Sequence, residues 1–269
     1  MEQQVSENNI SAGQTSIKKQ ASMDYKLLID TVALAGTLML ENGAEIYRVE
    51  ETIDYMLKTS GLKTSEAFVV STGIMISLDD PSIDALTVIR RVNRGATNLN
   101  VVAQVNDISR KFYKRVISLE EAFSQLKHLD KTQYPWWLKD ICTIFVVASF
   151  AGMYGGNGYD MLATAIVGIF LAAWLHAGKK IGLNSLIKDL TASVVISVMA
   201  SVMVHIGVGM HIDRIIIGAI MVLVPGAAIT NAIRDTLHGD YTSGNANILQ
   251  AFAEAAMIAL GVYVGLLLL

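Results

Sequence analysis

Tyr134-Pro135-Trp136-Trp137 divides this chain into two kinds of sequence, and the kind that follows it permits few folds. From Asp140 to Leu269 there are 5 Lys plus Arg and 7 Asp plus Glu, against 16 and 17 from Met1 to Lys139. Inside hydrocarbon a chain of this kind satisfies its backbone amides as helices. The aromatic cluster suits the level where water meets lipid. Apolar runs place helices near 140–156, 161–178, 187–207, 212–233 and 248–269. Each is close to the roughly 20 residues that a bilayer core requires. The expected fold is an α-helical polytopic membrane protein of about five transmembrane helices, 134–269, behind an N-terminal cytoplasmic α+β domain, 24–130, and a disordered tail, 1–22.

Flanking charge sets an orientation, because Lys and Arg stay preferentially on the cytoplasmic side. The first twenty residues hold no apolar run fit for a signal peptide, so the N-terminus is expected in the cytosol. The loop Gly155 to Asp160 then falls outside, and Lys179, Lys180, Lys188 and Arg234 fall inside. Arg214 is the exception, and five spans leave the C-terminus outside. A net charge of -3 with mixed signs gives no nucleic-acid footprint. Cys142 is the only cysteine, which removes an intrachain disulfide and a cysteine-based zinc site and suggests a small core residue.

In the first half, Leu27 to Leu40 is apolar but too short to cross a bilayer and reads as a buried helix. Ile46, Val49, Ile53 and Leu57 form the stripe of an amphipathic helix ending near Gly61. Ala67 to Leu78 and Ala85 to Val92 read as two strands joined by Asp79-Asp80-Pro81-Ser82, with Gly73 marking a bulge. Val101, Val105, Ile108 and Phe112 restore the helical period behind Thr97-Asn98, and Ser118 with Glu121 is a capping-box pattern for a last helix. A hairpin alone is marginal in water, so the sheet needs the helices, an unseen strand or a second subunit; a homo-oligomer is one solution.

Candidates for chemistry concentrate in Pro225-Gly226 and in Asn231, Arg234, Asp235 and Asp240 downstream. Pro225 cannot donate to a helical ladder, so the fourth span kinks or breaks there, and broken helices are where transporters address substrates and ions. Glu254 lies about six residues into the last span, where an ionisable group is costly and faces a cavity or partner. His176, His205 and His211 have no companion at metal-ligand spacing and read as hydrogen-bonded structural residues, so no metal or other cofactor is implied. Ala251, Ala255 and Ala259, with Gly261 and Gly265, read as helix-packing positions. In the first half Glu41, Glu45, Arg48 and Glu50 gather at a helix junction, as a cap with surface ion pairs or as an acid–base site. Arg90, Arg91 and Arg94 read as helix-end charges.

The segment Leu38 to Glu50, STGIMISL, RRVNRGATNLN, and PGAAITNAIRD followed by HGDYTSG together resemble the bacterial threonine/serine exporter family, over residues 24–269. Within that family the chain looks like the large subunit of the split form, whose remaining spans come from a second membrane subunit. The resemblance implies a cytoplasmic-membrane secondary transporter exporting small polar metabolites: threonine and serine for fused members, succinate for a split pair. Asn247 stands where many relatives of this kind carry a basic residue. Two other classes compete, a membrane-tethered hydrolase centred on Glu41 to Glu50 and a metabolite-sensing regulatory subunit. The chain has no GxSxG motif for the first and no GxxxxGK[ST] motif for ATP use. An exporter subunit, not an enzyme, is the expected function.

Overall fold

The structure, a computed structural model, describes residues 24–93, 95, 97–130 and 134–268, so the expected tail at 1–22 and Arg94 lie outside the described residues. The chain divides into two compact units, Met1–Lys131 and Thr132–Leu269.

The first unit is built around helix α1, Tyr25–Glu41, started by Asp24, whose side chain accepts the Leu27 amide at 3.0 Å. Buried residues fall on most of its faces, from Leu28 and Ile29 to Met39 and Leu40. That explains a run as apolar as a membrane span but too short for one: the helix is wrapped by protein. Asn42-Gly43, with Gly43 at φ +81°, turns the chain into α2, Ile46–Leu57, and a 3-10 turn follows. Ile46, Val49, Ile53 and Leu57 are all fully buried, as their spacing predicts.

Three strands follow rather than two: β1, Thr64–Val70, β2, Gly73–Asp80, and β3, Ile83–Arg91, in antiparallel order β1-β2-β3. The stretch expected as one strand from Ala67 to Leu78 folds back at Ser71-Thr72, pairing Val70 with Gly73. Because the turn takes two residues, the alternation of apolar side chains carries on across it, and the sequence reads as continuous. Gly73 therefore opens a strand, and the irregular register lies between Leu78 and Asp80 instead. Ile74, Ile76 and Leu78 face the core. On the other face Phe68, Met75 and Ile89 form a cross-strand row that stays exposed in this chain. The unit closes with α3, Leu99–Tyr113, and α4, Leu119–Lys127, the latter started by the expected capping box of Ser118 and Glu121.

The second unit contains α5, Trp136–Met153, α6, Gly158–Ile181, α7, Ser185–His205, α8, Ile212–Ile220, α9, Gly226–Leu237, and α10, Tyr241–Leu267. Among the described residues four helices, α5, α6, α7 and α10, are long and apolar enough to cross a membrane. The expected fourth span, 212–233, is not one helix but the pair α8 and α9. Small residues set the packing distances. A Cβ on Gly218 of α8 would lie 2.8 Å from Cα of Ala151 on α5, and one on Gly168 of α6 would lie 2.7 Å from Val147. Cys142 is exposed on α5, not a core residue; the buried positions of that helix are Val147 and Ala151.

Candidate functional site

The break between α8 and α9 follows from backbone chemistry. Pro225 has no N–H, and the chain before it tightens: Leu223 and Val224 both donate to the Ile220 carbonyl, and Gly226 donates to Val224 at 2.8 Å. Helical bonding resumes only with Ile229 donating to Pro225, while Thr230 Oγ1 donates to the Gly226 carbonyl at 3.0 Å. Nine residues of α8 rise about 14 Å, roughly half of a 30 Å hydrocarbon core, before the interruption.

Helix α9 packs against α10 as a tight antiparallel hairpin. Gly239, at φ +94°, makes the turn. Gly244 lies so close to Ala232 and Thr236 that a Cβ would collide with the Thr236 hydroxyl. Asp235 and Asn247, 1% and 4% exposed, meet inside, with Asn247 Nδ2 donating to Asp235 Oδ2 at 3.0 Å. Asn231 lies one turn before Asp235 on the same flank and is half-buried. Arg234 and Asp240 are half-buried at the hairpin, with Asp240 at the N-terminus of α10. The structure thus joins Asp235 to Asn247, the position where a basic residue was expected; a neutral amide donor faces the carboxylate instead.

The buried face of α10 is Gly244, Asn247, Ala251, Ile258, Gly261 and Gly265, and half-buried Glu254 completes an alternation of three and four. That spacing keeps one face toward α7. A strict step of four drifts around the helix, which is why Ala255 and Ala259, expected at a packing seam, are exposed. Gly261 rests on Leu190 and Ser193 of α7, and Gly265 on Val194 and Ser197, so the two helices run parallel. Glu254 lies about 10 Å before Gly261 along the axis, level with the start of α7. There it is within electrostatic reach of Asp189, which is 6% exposed and receives the Ser185 hydroxyl at 3.4 Å. Gln250 donates to Glu254 at 3.0 Å. Above this pair, Ser193 and Ser197 turn their hydroxyls back to the carbonyls of Asp189 and Ser193, which lets α10 approach without leaving a polar group bare. One line of polar groups therefore runs along α10 from Asn247 past Glu254 and Asp189 to the serines.

At the far end of α7 a different cluster ties two loops together. Asp160, fully buried, accepts the Met210 and His211 amides at 2.7 and 2.9 Å and His211 Nδ1 at 2.8 Å, and caps α6 with Asn157. Arg214 donates to the Tyr154 carbonyl and pairs with Asp213 at 3.0 Å. A cation at the C-terminus of α5 complements the helix dipole, a local reason for the charge that breaks the loop pattern. His211 is the structural histidine the sequence suggests, and His176 lies 3.6 Å from Asp140. His205 is exposed and makes no side-chain hydrogen bond among the described residues, contrary to expectation. No group of three His, Cys, Asp or Glu suited to a metal occurs among the described residues.

In the first unit Glu45 starts α2 and pairs with Arg48 at 3.3 Å, the bland arrangement the spacing allows. Glu41 ends α1, and Glu50 is half-buried on α2. Arg48 also lines a cavity of about 380 Å³ between α1, α2 and α3, whereas Glu41, Glu45 and Glu50 do not. Arg90 is not a helix-end charge: it lies on β3 and reaches Asp30 of α1 at 2.8 Å, while Arg91 points the other way and is exposed. Sequence reasoning passed over Asp189 because it adjoins Lys188 and reads as flanking charge. It passed over Asp160 because nothing local shows that residues 210 and 211 return to it.

Residues 30–269 match the family described as "Putative threonine/serine exporter". A curated protein described as probable succinate transporter subunit YjjP, of Klebsiella aerogenes, is 23% identical over 239 residues, covering 86% of this chain and 88% of that one. No solved structure matches.

Proposed function

From the premise that this chain belongs to the threonine/serine exporter family, a family of membrane transporters, we propose that it is one subunit of a secondary exporter of small polar metabolites. A four-carbon dicarboxylate such as succinate is the first substrate to test, with threonine and serine as the alternatives. The observation that carries the reading is the polar line on α10, where Asn247 bonds Asp235 and Glu254 lies within electrostatic reach of Asp189, beside the interrupted pair α8 and α9. Ionisable groups on apolar helices are costly to keep and mark ion or proton routes by default. An interrupted helix frees backbone donors and acceptors at membrane depth.

In this reading Asp189 and Glu254 are the candidate carboxylates of an ion or proton route along α10. Pro225 and Gly226 supply the free helix end, and Asn231, Arg234, Asp235 and Asp240 line the approach to it. The lysine-bearing end of the bundle, with Lys179, Lys180 and Lys188, faces the cytosol of a bacterium, as do the first unit and the α9–α10 hairpin. The Asp160–His211 end and the C-terminus face outward, with α8 and α9 crossing as one span. The relative is described as a subunit, which supports a second membrane subunit supplying further helices. A hydrolase reading loses ground, because Glu41, Glu45 and Glu50 do not converge on the cavity that Arg48 lines.

The test is efflux of preloaded labelled succinate, threonine and serine from cells stripped of their own exporters. This chain is expressed alone and with its candidate partner. Efflux should require both chains, and Glu254→Gln should abolish it at unchanged membrane abundance. Full activity of Glu254→Gln together with Asp189→Asn would remove the proton route. Silence toward all three compounds would remove the substrate class.

A further inference from the structure

The cavity of the first unit lies in a groove between two helices, and the positions that form it recur at helical spacing. On α2 they are Arg48, Glu51, Thr52 and Tyr55; on α3 they run from Val102 through Ser109 and Arg110 to Tyr113, with Lys114 at its C-cap. The α3 set is offset from the stripe Val101, Val105, Ile108 and Phe112 that fills the core, so a second face of the same helix is given to the groove. Its volume of about 380 Å³ falls in the range of sites for small organic ligands, roughly 300–1,000 Å³.

The chemistry of the walls is uneven in an informative way. Met39 and Val102 make an apolar floor, both buried. Beside them stands Thr52, 6% exposed, with a hydroxyl-bearing side chain in the cavity wall. Tyr55 and Tyr113 pack ring against ring, centroids 4.4 Å apart, and each remains about two-fifths exposed, at 40% and 41%. Arg110 and Lys114 form no ion pair among the described residues, whereas Lys111 beside them is held by Asp107 at 2.7 Å. Arg48 also lines the cavity but is already paired with Glu45, so the uncompensated charge comes from Arg110 and Lys114, with Glu51 the one carboxylate in the lining. The dipole of α3 favours cations in its last turn, which places Arg110 and Lys114 at the cavity, and Glu45 accounts for Arg48 near the start of α2.

We propose that this cavity binds a small organic anion with a planar ring, of the size of a nucleoside monophosphate. Arg110 and Lys114 hold its anionic group, and the Tyr55–Tyr113 pair meets its ring. Thr52 donates to or accepts from the ring edge above the apolar floor, and Glu51 accepts from hydroxyl or amino groups at the rim. A four-carbon acid would leave most of the cavity and both rings unused. The inference is therefore separate from the exported substrate and does not rest on the transport reading.

The experiment is calorimetric titration of the full chain in lipid nanodiscs with adenosine monophosphate, adenosine, inorganic phosphate and succinate. Adenosine monophosphate should bind with a Kd below about 1 mM. Adenosine, phosphate and succinate should each bind about tenfold more weakly or worse, since each lacks the charge or the ring. The double variant Arg110→Gln with Lys114→Gln, two exposed positions, should weaken adenosine monophosphate by about tenfold or more with an unchanged melting temperature. Thr52→Val, of equal shape, should weaken it by a smaller factor. No binding of adenosine monophosphate, succinate binding as tightly as the nucleotide, or binding indifferent to the double variant would each overturn the proposal.

Discussion

In the first unit most fully buried positions carry large side chains such as Leu28, Ile29, Met39, Leu40, Ile53 and Leu126; in the second many carry small ones, among them Ala163, Ala192, Ala200 and Ala219. Leu171, Ile196 and Ile215 are fully buried in the second unit as well, but small residues make up a larger share of its interior. Burying a large apolar side chain is worth about 1.5–3 kcal/mol when the alternative is water. It gains little when the alternative is lipid, so helices in lipid gain instead from close approach and from polar contacts. Gly218 against Ala151 and Gly261 against Ser193 show the approach; Asn247 with Asp235 shows the contact. The same contrast accounts for large apolar side chains such as Phe145, Ile169 and Phe252 standing exposed on apolar helices of the second unit.

The contrast breaks most sharply at Gly261. A Cβ there would strike the Leu190 carbonyl oxygen, a backbone atom that cannot turn aside. Overpacking ordinarily costs about 1–3 kcal/mol, and a backbone clash between two long helices lies at the upper end. Gly261→Leu should therefore abolish a monodisperse species in size-exclusion chromatography after detergent extraction, while Ala255→Leu, on an exposed face, should leave it intact. Equal tolerance of both would show that close approach of α7 and α10 does not hold this unit together.

A smaller and more local loss is expected from Ile53→Ala, which empties a fully buried site against Gly36 of α1. The cost should be about 2–5 kcal/mol. Hydrogen exchange on the full chain should show α1 and β2 losing protection while α6 and α7 keep theirs. Loss of protection in both units together would mean that they do not fold as separate cores.

The smallest effect sharpens the first unit alone. Asp80, at the β2–β3 turn, is held below its ordinary value of 3.8, first by the Ser82 hydroxyl and then by the Lys63 and Ser82 amides. A carboxyl lowered in the folded state contributes stability above its unfolded value and loses it as the pH falls through the folded value. Acid should therefore speed amide exchange at Lys63 and Ser82 below the ordinary carboxylate range, and Ser82→Ala should shift that change to higher pH. An unchanged profile in Ser82→Ala would remove the hydroxyl as the main cause.

Much of this was written locally. Periodicity alone gives α1 to α4 to within a few residues, Ser118 and Glu121 declare their own cap, and Pro225 declares the interruption of a span. The long apolar runs give α5, α6, α7 and α10, because a helix 20 residues long needs no distant partner to be recognised. The hairpin at Ser71-Thr72 escaped because a two-residue turn preserves alternation, and the seam of α10 was misassigned because a repeat of four looks regular in sequence but rotates in space. Meetings between distant residues were decided only by tertiary structure: Asp235 with Asn247, Asp160 with His211, Glu254 with Asp189, and the α2 and α3 faces that enclose the cavity. Each depends on how two helices rotate and slide against one another, and the residues that fix that rotation are glycines and alanines whose role shows only once a neighbouring helix stands beside them.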